Sequence, residues 1–460
     1  MRAPHIFNFS ACERVLGIEP HFGAQREMHY YVNDDAVSKL LGSRLDPMLA
    51  DLVDVAAAIH IADRLAVREH SAPEQWKRRF KIQIPVRCLS DWRRNEVEES
   101  LDAALSFMTG DEWDLQLSSR PARPRFSEQQ TPLFPVDPTE PIRVNLFSGG
   151  LDSFAGNTAA LAENPDHHYV CVSATPNHRQ EFHPREQVRS LRALAHRSLT
   201  HIRVPCWLES ASEVAQEPTR RSRGFLFLAL GAVSALSAGA DHLFLYENGI
   251  GALNLPYERT PVGIPNSRSV HPSTLLLVAR LIWALTGTQF RIENPCVFQT
   301  KAEMCAHPAV KTMASSIPMT FSCDGFPVQR SGLPQCGLCT SCILRRLALE
   351  NSGLHGADGE GYACNLYDRN QTVRPGRLRG LSAMDWQVER LRQALAGNAA
   401  WATLMSEFPE LRQSCVALVE QTGATYEVVQ NRLERLFRRH CDEWKNFPPP
   451  QWLLAQGKAA

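Results

Sequence analysis

The segment RVNLFSGGLDSFAG, residues 143–156, constrains the fold of this chain more than any other. An apolar run with strand character meets Ser148, Gly149 and Gly150, and Leu151, Asp152 and Ser153 then open a helix. A strand that ends in a glycine-rich turn and a helix N-terminus makes a phosphate cradle. The glycines allow positive φ and close approach of the backbone amides, and the flanking hydroxyls and the helix end add donors. A plain Ser-Gly-Gly turn with Asp152 as a first-turn acid would also cap a helix. Asp and a second Ser at these offsets behind a buried strand favour anion binding. The turn lacks the Gly-Lys-Ser/Thr ending of a Walker A loop, which argues against phosphoryl transfer of that type.

Around this segment strand and helix alternate. RVNLF is followed by a helix toward Leu161, then HYVCVSA as a second strand. A long apolar helix over 223–240 precedes a buried strand HLFLYE (242–247) and a further helix STLLLVARLIWAL (273–285). This order predicts an α/β fold, a parallel sheet with helices on both faces, over residues 142–350. The 460 residues exceed what one core usually serves, and further units are expected on either side. Residues 1–125 read as an α+β domain, with an amphipathic helix LADLVDVAAAIHIADRL (49–65), a strand FKIQIPV (80–86) and a helix over 97–107. Pro121, Pro124, Pro132, Pro135, Pro138 and Pro141 mark a linker at 126–141. An Arg/Gly-rich connector (351–380) leads to a helical domain (381–460) that includes YEVVQNRLERLFRRHCDEW.

Four of the thirteen cysteines are grouped: Cys323, then Cys336, Cys339 and Cys342 at intervals of three. Four thiolates with no carboxylate or histidine among them suit a closed, structural Zn²⁺ site, and the same ligands would also hold an iron–sulfur cluster. The remaining cysteines, such as Cys12, Cys88, Cys171 and Cys206, show no ligand spacing.

Charge narrows the partners. Lys and Arg number 49, as do Asp and Glu, so no basic excess points to nucleic acid. Arg369, Arg374, Arg377 and Arg379 in the connector have no interleaved aromatics, and read as a solvated linker rather than an RNA grip. The start MRAPHIFNFSACERV has no signal-peptide pattern, and no apolar run reaches the roughly 20 residues of a membrane span. A cytoplasmic protein with reduced thiols and no membrane contact is expected.

SGGLDS matches the S-G-G-x-D-S signature of the N-type ATP pyrophosphatases, the PP-loop superfamily. The resemblance implies that Ser148, Gly149, Gly150, Leu151 and Ser153 bind the β and γ phosphates of ATP, that Asp152 helps place Mg²⁺, and that a substrate attacks the α-phosphorus. Together with the late C…C-G-x-C-x-x-C, the chain resembles QueC, the 7-cyano-7-deazaguanine synthase family. RGFLFLALGA from Arg223 resembles the family's R-N-x-x-F-L-x-x-A segment, and TKAEM resembles its K-A-E segment, which makes Lys301 a candidate phosphate contact. The family adenylates the carboxylate of 7-carboxy-7-deazaguanine, forms the amide with ammonia and dehydrates it to the nitrile.

The chain departs from that pattern at YENGIGALNLPYERTPVGIPNSRSVHP, where substrate specificity is expected, and it has Gly224 in place of an Asn. Arg223, Glu247, Asn248, Arg268 and His271 fall near expected strand ends, where α/β sheets bind ligands, and are candidate substrate residues. The layout with added terminal units resembles the QatC proteins of the Qat anti-phage system. That resemblance implies protein partners from the same operon and an amine on such a partner as a possible acyl acceptor. A tRNA-modifying PP-loop enzyme and a non-catalytic nucleotide-binding scaffold are the competing readings.

Overall fold

The computed structural model describes residues 4–11, 15–20, 28–68, 76–121, 124–129, 141–175, 178–195, 198–209, 215–217, 221–257, 268–324, 335–358, 361–366, 373 and 378–447. Ten strands are named in chain order: β1 (His5–Ala11), β2 (Val15–Pro20), β3 (Met28–Val32), β4 (Arg79–Val86), β5 (Glu112–Ser119), β6 (Ile142–Leu146), β7 (His168–Thr175), β8 (Leu199–Leu208), β9 (His242–Phe244) and β10 (Arg291–Glu293). They lie in one sheet of order β10-β9-β6-β7-β8-β3-β2-β1-β4-β5.

From β10 to β8 every pairing is parallel, as the alternation of strand and helix predicts. The period-2 alternation of strand side chains explains why helices cover both faces. Val144, Val170 and Val172 enter the core shared with the Arg223–Ser237 helix. Tyr169 and Cys171 enter the opposite one, with Phe154 and Leu161 of the Leu151–Glu163 helix. β9 is shorter than the HLFLYE run suggests. After Phe244 the chain makes one more backbone bond, from Leu245 N to Glu293 O (2.9 Å), and then turns so that Asn248 caps the short helix Gly249–Leu253.

The N-terminal strands continue the same sheet. Tyr30 and Val32 of β3 pair antiparallel with Leu208 and Cys206 of β8, while β4 lies parallel between β1 and β5. The Pro47–Leu65 helix differs from the amphipathic helix expected: residues 49–63 are buried on every side, since it packs between β4 and the Arg223–Ser237 helix. Its acids are tolerated because each meets arginine, as buried charge requires. Asp54 takes Arg87, Arg120 and Arg125 (each 2.7 Å), Asp51 takes Arg87 (2.9 Å), and Asp63 pairs with Arg78.

The C-terminal helices Arg379–Leu395, Ala400–Glu407, Leu411–Thr422 and Tyr426–Asn446 form a second core of their own with Ile250, Leu253, Val297, Phe298 and Leu338. Most of the expected proline-rich linker (130–140) and most of the arginines of the connector lie outside the described residues. Among the described residues, no helix is long and apolar enough to cross a membrane.

Candidate functional site

The glycine-rich turn leaves β6 at Phe147 and enters the Leu151–Glu163 helix through Gly150. Gly149 has φ +79°, a conformation that side-chain-bearing residues rarely adopt. The turn is tied internally: Gly150 N donates to Ser148 Oγ (3.3 Å), Ser148 Oγ to Ser153 Oγ (3.2 Å), and Ser153 Oγ to Gly150 O (3.1 Å). It is also tied from outside. Gly149 O accepts from Phe321 N (3.1 Å) and from Gln187 Nε2 (3.0 Å), and the same Gln187 amide donates to Met319 O (2.8 Å). Nothing in the spacing of the sequence marks Gln187, yet it is fully buried beneath the turn.

In the first turn of the helix, Asp152 meets residues from two other elements. Lys301 Nζ lies 2.6 Å from Asp152 Oδ2, with both side chains nearly buried. Asn248 Nδ2 donates to Asp152 Oδ1 (3.0 Å) and to Glu247 Oε1 (2.7 Å). Each partner is fixed by its own local structure. Thr300 forms a capping box with Glu303 that starts the Lys301–Cys305 helix, and Asn248 Oδ1 accepts from Gly251 N (3.0 Å) as a helix cap. Asn294, which the sequence reading did not single out, brackets Glu247: its Oδ1 accepts from Glu247 N (3.2 Å) and its Nδ2 donates to Glu247 O (2.8 Å).

The electrostatics follow from this crowding. Burial pushes the Glu247 carboxyl up to about 8, helped by the negative charge of Asp152 and opposed by Lys301. Burial also works against the Lys301 charge, but Asp152 and Glu247 outweigh it and raise its pKa above the ordinary lysine value. At neutral pH the Glu247 carboxyl thus holds its proton beside the Lys301 charge that contacts Asp152.

Among the candidate residues, the structure brings together Ser148, Gly149, Gly150, Leu151, Asp152 and Ser153 with Lys301, Asn248 and Glu247. Arg223, Arg268 and His271 have other contacts. The Arg223 guanidinium sits over Phe227 (4.7 Å). Arg268 sits over Phe107 (4.8 Å) and donates to its carbonyl (3.1 Å). His271 caps the Pro272–Thr286 helix, contacts Ser414 Oγ (3.0 Å), and is held neutral by burial, which lowers its pKa to about 3. Gly224, the departure from the family pattern, is sterically required: a Cβ there would stand 2.3 Å from that of Ser269.

The four cysteines converge, with all sulfurs within 4.8 Å of one another and Cys336 Sγ 3.9 Å from Cys342 Sγ. Tetrahedral zinc with bonds of about 2.3 Å places its sulfurs about 3.8 Å apart, so the set fits such an ion. Backbone amides support the thiolates, from Cys336 to Cys323 Sγ (3.4 Å) and from Leu338 and Cys339 to Cys336 Sγ (3.4 and 3.3 Å). Cys323 stands two residues beyond Phe321, whose amide holds the glycine turn. The cysteine cluster thus adjoins the segment that is hydrogen-bonded to the glycine turn.

No protein-family model matches the chain. Its sequence is similar to proteins named 7-cyano-7-deazaguanine synthase. The one from Erythrobacter litoralis is 29% identical over 238 residues, 47% of this chain and 90% of the relative. Those from Hydrogenovibrio crunogenus and Methylococcus capsulatus are 27% identical over 242 residues and 28% over 228, covering 48% and 46% of this chain and 96% and 95% of the relatives. About half of the chain is thus similar to nearly the whole length of such a synthase.

Proposed function

We propose that this protein uses ATP to adenylate the carboxylate of a 7-deazaguanine acid, 7-carboxy-7-deazaguanine, and passes the acyl group to an amine. The observation that carries this reading is the buried Asp152–Lys301 pair, 2.6 Å apart, beside the Ser148–Ser153 turn. The turn supplies amides and hydroxyls for an anion, and Lys301 adds a full charge next to it. Similarity to synthases of a 7-deazaguanine supports the substrate class.

In this scheme the turn and Lys301 hold the β and γ phosphates as one unit. A carboxylate oxygen of the acid attacks the α-phosphorus, the bond to the bridging oxygen breaks, and pyrophosphate leaves with the electron pair. The amine nitrogen then attacks the acyl carbon, AMP departs, and the nitrogen loses a proton. Magnesium bound at Asp152 would offset charge on the leaving pyrophosphate. The protonated Glu247 can donate a hydrogen bond that a carboxylate cannot. Zinc at Cys323, Cys336, Cys339 and Cys342 has a structural role. In this reading the acceptor is ammonia or an amine on a partner protein of a defence operon like the Qat system, which the layout of the chain resembles.

The test is incubation with ATP, Mg²⁺, the deazaguanine acid and the products of neighbouring genes, followed by pyrophosphate assay and mass spectrometry. AMP and pyrophosphate should form together with an amide, nitrile or protein conjugate. Asp152→Ala should lower the rate by about 100-fold or more. ATP cleaved only to ADP, or bound without turnover with every acceptor, would overturn the reading.

A further inference from the structure

We propose that the C-terminal helix Tyr426–Asn446 belongs to the frame of the nucleotide site, and that Glu443 is a positioning residue that sets Lys301 against Asp152 through Thr300. The inference rests on the functional reading above for the role of Lys301. Its geometric basis stands apart from it.

Glu443 is 2% exposed, and its Oε1 accepts from Thr300 Oγ1 at 2.6 Å. The Thr300 hydroxyl can donate only one hydrogen. Spending it on Glu443 leaves the oxygen lone pairs facing Glu303 N, which donates to Thr300 Oγ1 at 3.2 Å. That second bond is the helix cap from which Lys301 projects, so the Glu443 carboxyl oxygen fixes the rotor that fixes the cap. Arg439 Nε holds the same Glu443 oxygen at 3.1 Å, and Asn351 Nδ2 donates to the Glu443 carbonyl at 3.1 Å. Arg435, two turns earlier on the helix, pairs with Glu303, the other half of the capping box.

The same helix reaches the second partner of Asp152. A Cβ on Gly249, the residue after Asn248, would lie 2.5 Å from Leu436 Cδ2 and 2.2 Å from Val297 O. Only glycine lets Leu436 press against the turn that presents Asn248. Both side chains that hold Asp152 are thus backed by one helix, which lies far beyond the phosphate loop in the sequence.

Three variants test the proposal: Glu443→Ala, which removes the acceptor, Glu443→Gln, which keeps an acceptor without the charge, and Glu443→Ala in a Lys301→Ala background. Hydrogen exchange over residues 301–305 should run about tenfold faster in Glu443→Ala, and Glu443→Gln should stay within about twofold of the wild type. ATP affinity by calorimetry, with Mg²⁺ present, should fall about tenfold in Glu443→Ala and show no further fall when Lys301 is already alanine. Unchanged exchange in Glu443→Ala, equal damage from Ala and Gln, or losses that add to that of Lys301→Ala would each overturn the proposal. Wild-type protein that binds no ATP would instead defeat the functional reading, and the exchange comparison would still decide the role of Glu443. Should Glu443→Ala fail to fold, Thr300→Ser against Thr300→Val makes the same comparison. Serine should exchange like the wild type and valine about tenfold faster, and equal rates would overturn the proposal.

Discussion

Lys301 and Asp152 face each other with little water to solvate either charge, so each depends on the other. Removing one partner of such a pair leaves the other buried and uncompensated, and typically costs about 3–5 kcal/mol. Lys301→Ala should therefore lower the unfolding free energy in urea by that order, in addition to its effect on turnover. Glu247 gives a pH signature. Its folded pKa is raised from 4.5 to about 8, so the folded protein keeps a proton that the unfolded chain releases. Its contribution to stability is whole below pH 4.5 and declines as pH rises, until the folded carboxyl also ionises near pH 8. Urea titrations across that window should show a falling stability that Glu247→Gln flattens. At this scale the sequence was informative where chemistry is local. The run from Ser148 to Ser153 carries its own logic of strand, turn and helix, and Lys301 was legible only through a short resemblance. Gln187 and Asn294 were not legible, because each matters through carbonyl and amide contacts to distant segments.

Among the elements, the cysteine cluster and the glycine turn form one mechanical unit, joined by Phe321 N to Gly149 O and by Gln187. Loss of the metal should therefore be felt at the turn. Dialysis against a chelator, or Cys342→Ser, should speed hydrogen exchange over 319–323 and 149–151 and lower the melting temperature. Metal analysis of the untreated protein should give one equivalent of zinc and no visible charge-transfer band. Arg345 has a related role: fully buried, it binds Asp358 (2.6 Å), Thr320 Oγ1 (2.6 Å) and the Ile317 carbonyl (2.9 Å) behind the same segment. Arg345→Met should strand Asp358 and destabilise by about 3 kcal/mol or more in the same urea assay. Period and punctuation in the sequence located the helices 151–163, 223–237, 272–286 and 426–446 closely. They misjudged the Pro47–Leu65 helix, whose aspartates look like a wet face but meet arginines from strands and loops far along the chain.

The whole molecule depends on surfaces that its C-terminal helices supply. Leu338, Ile343, Leu253 and Phe298 are buried by the helices that follow residue 378. A chain ending at 377 should expose that core and be recovered as aggregate, whereas the full chain should be monodisperse by light scattering. The pairing of β3 with β8 has a geometric consequence. Three successive antiparallel steps, β8 to β3, β3 to β2 and β2 to β1, reverse the chain direction an odd number of times. The strands β1, β4 and β5 therefore run opposite to β6 and β7, and their carboxyl ends, with Arg87 and Arg120 just beyond, open on the rim away from the phosphate turn. A ligand lodged at those ends would have the full length of the strands between it and the glycine turn, so residues 1–121 reach that turn through the shared sheet and through the Pro47–Leu65 helix packed on the Arg223–Ser237 helix.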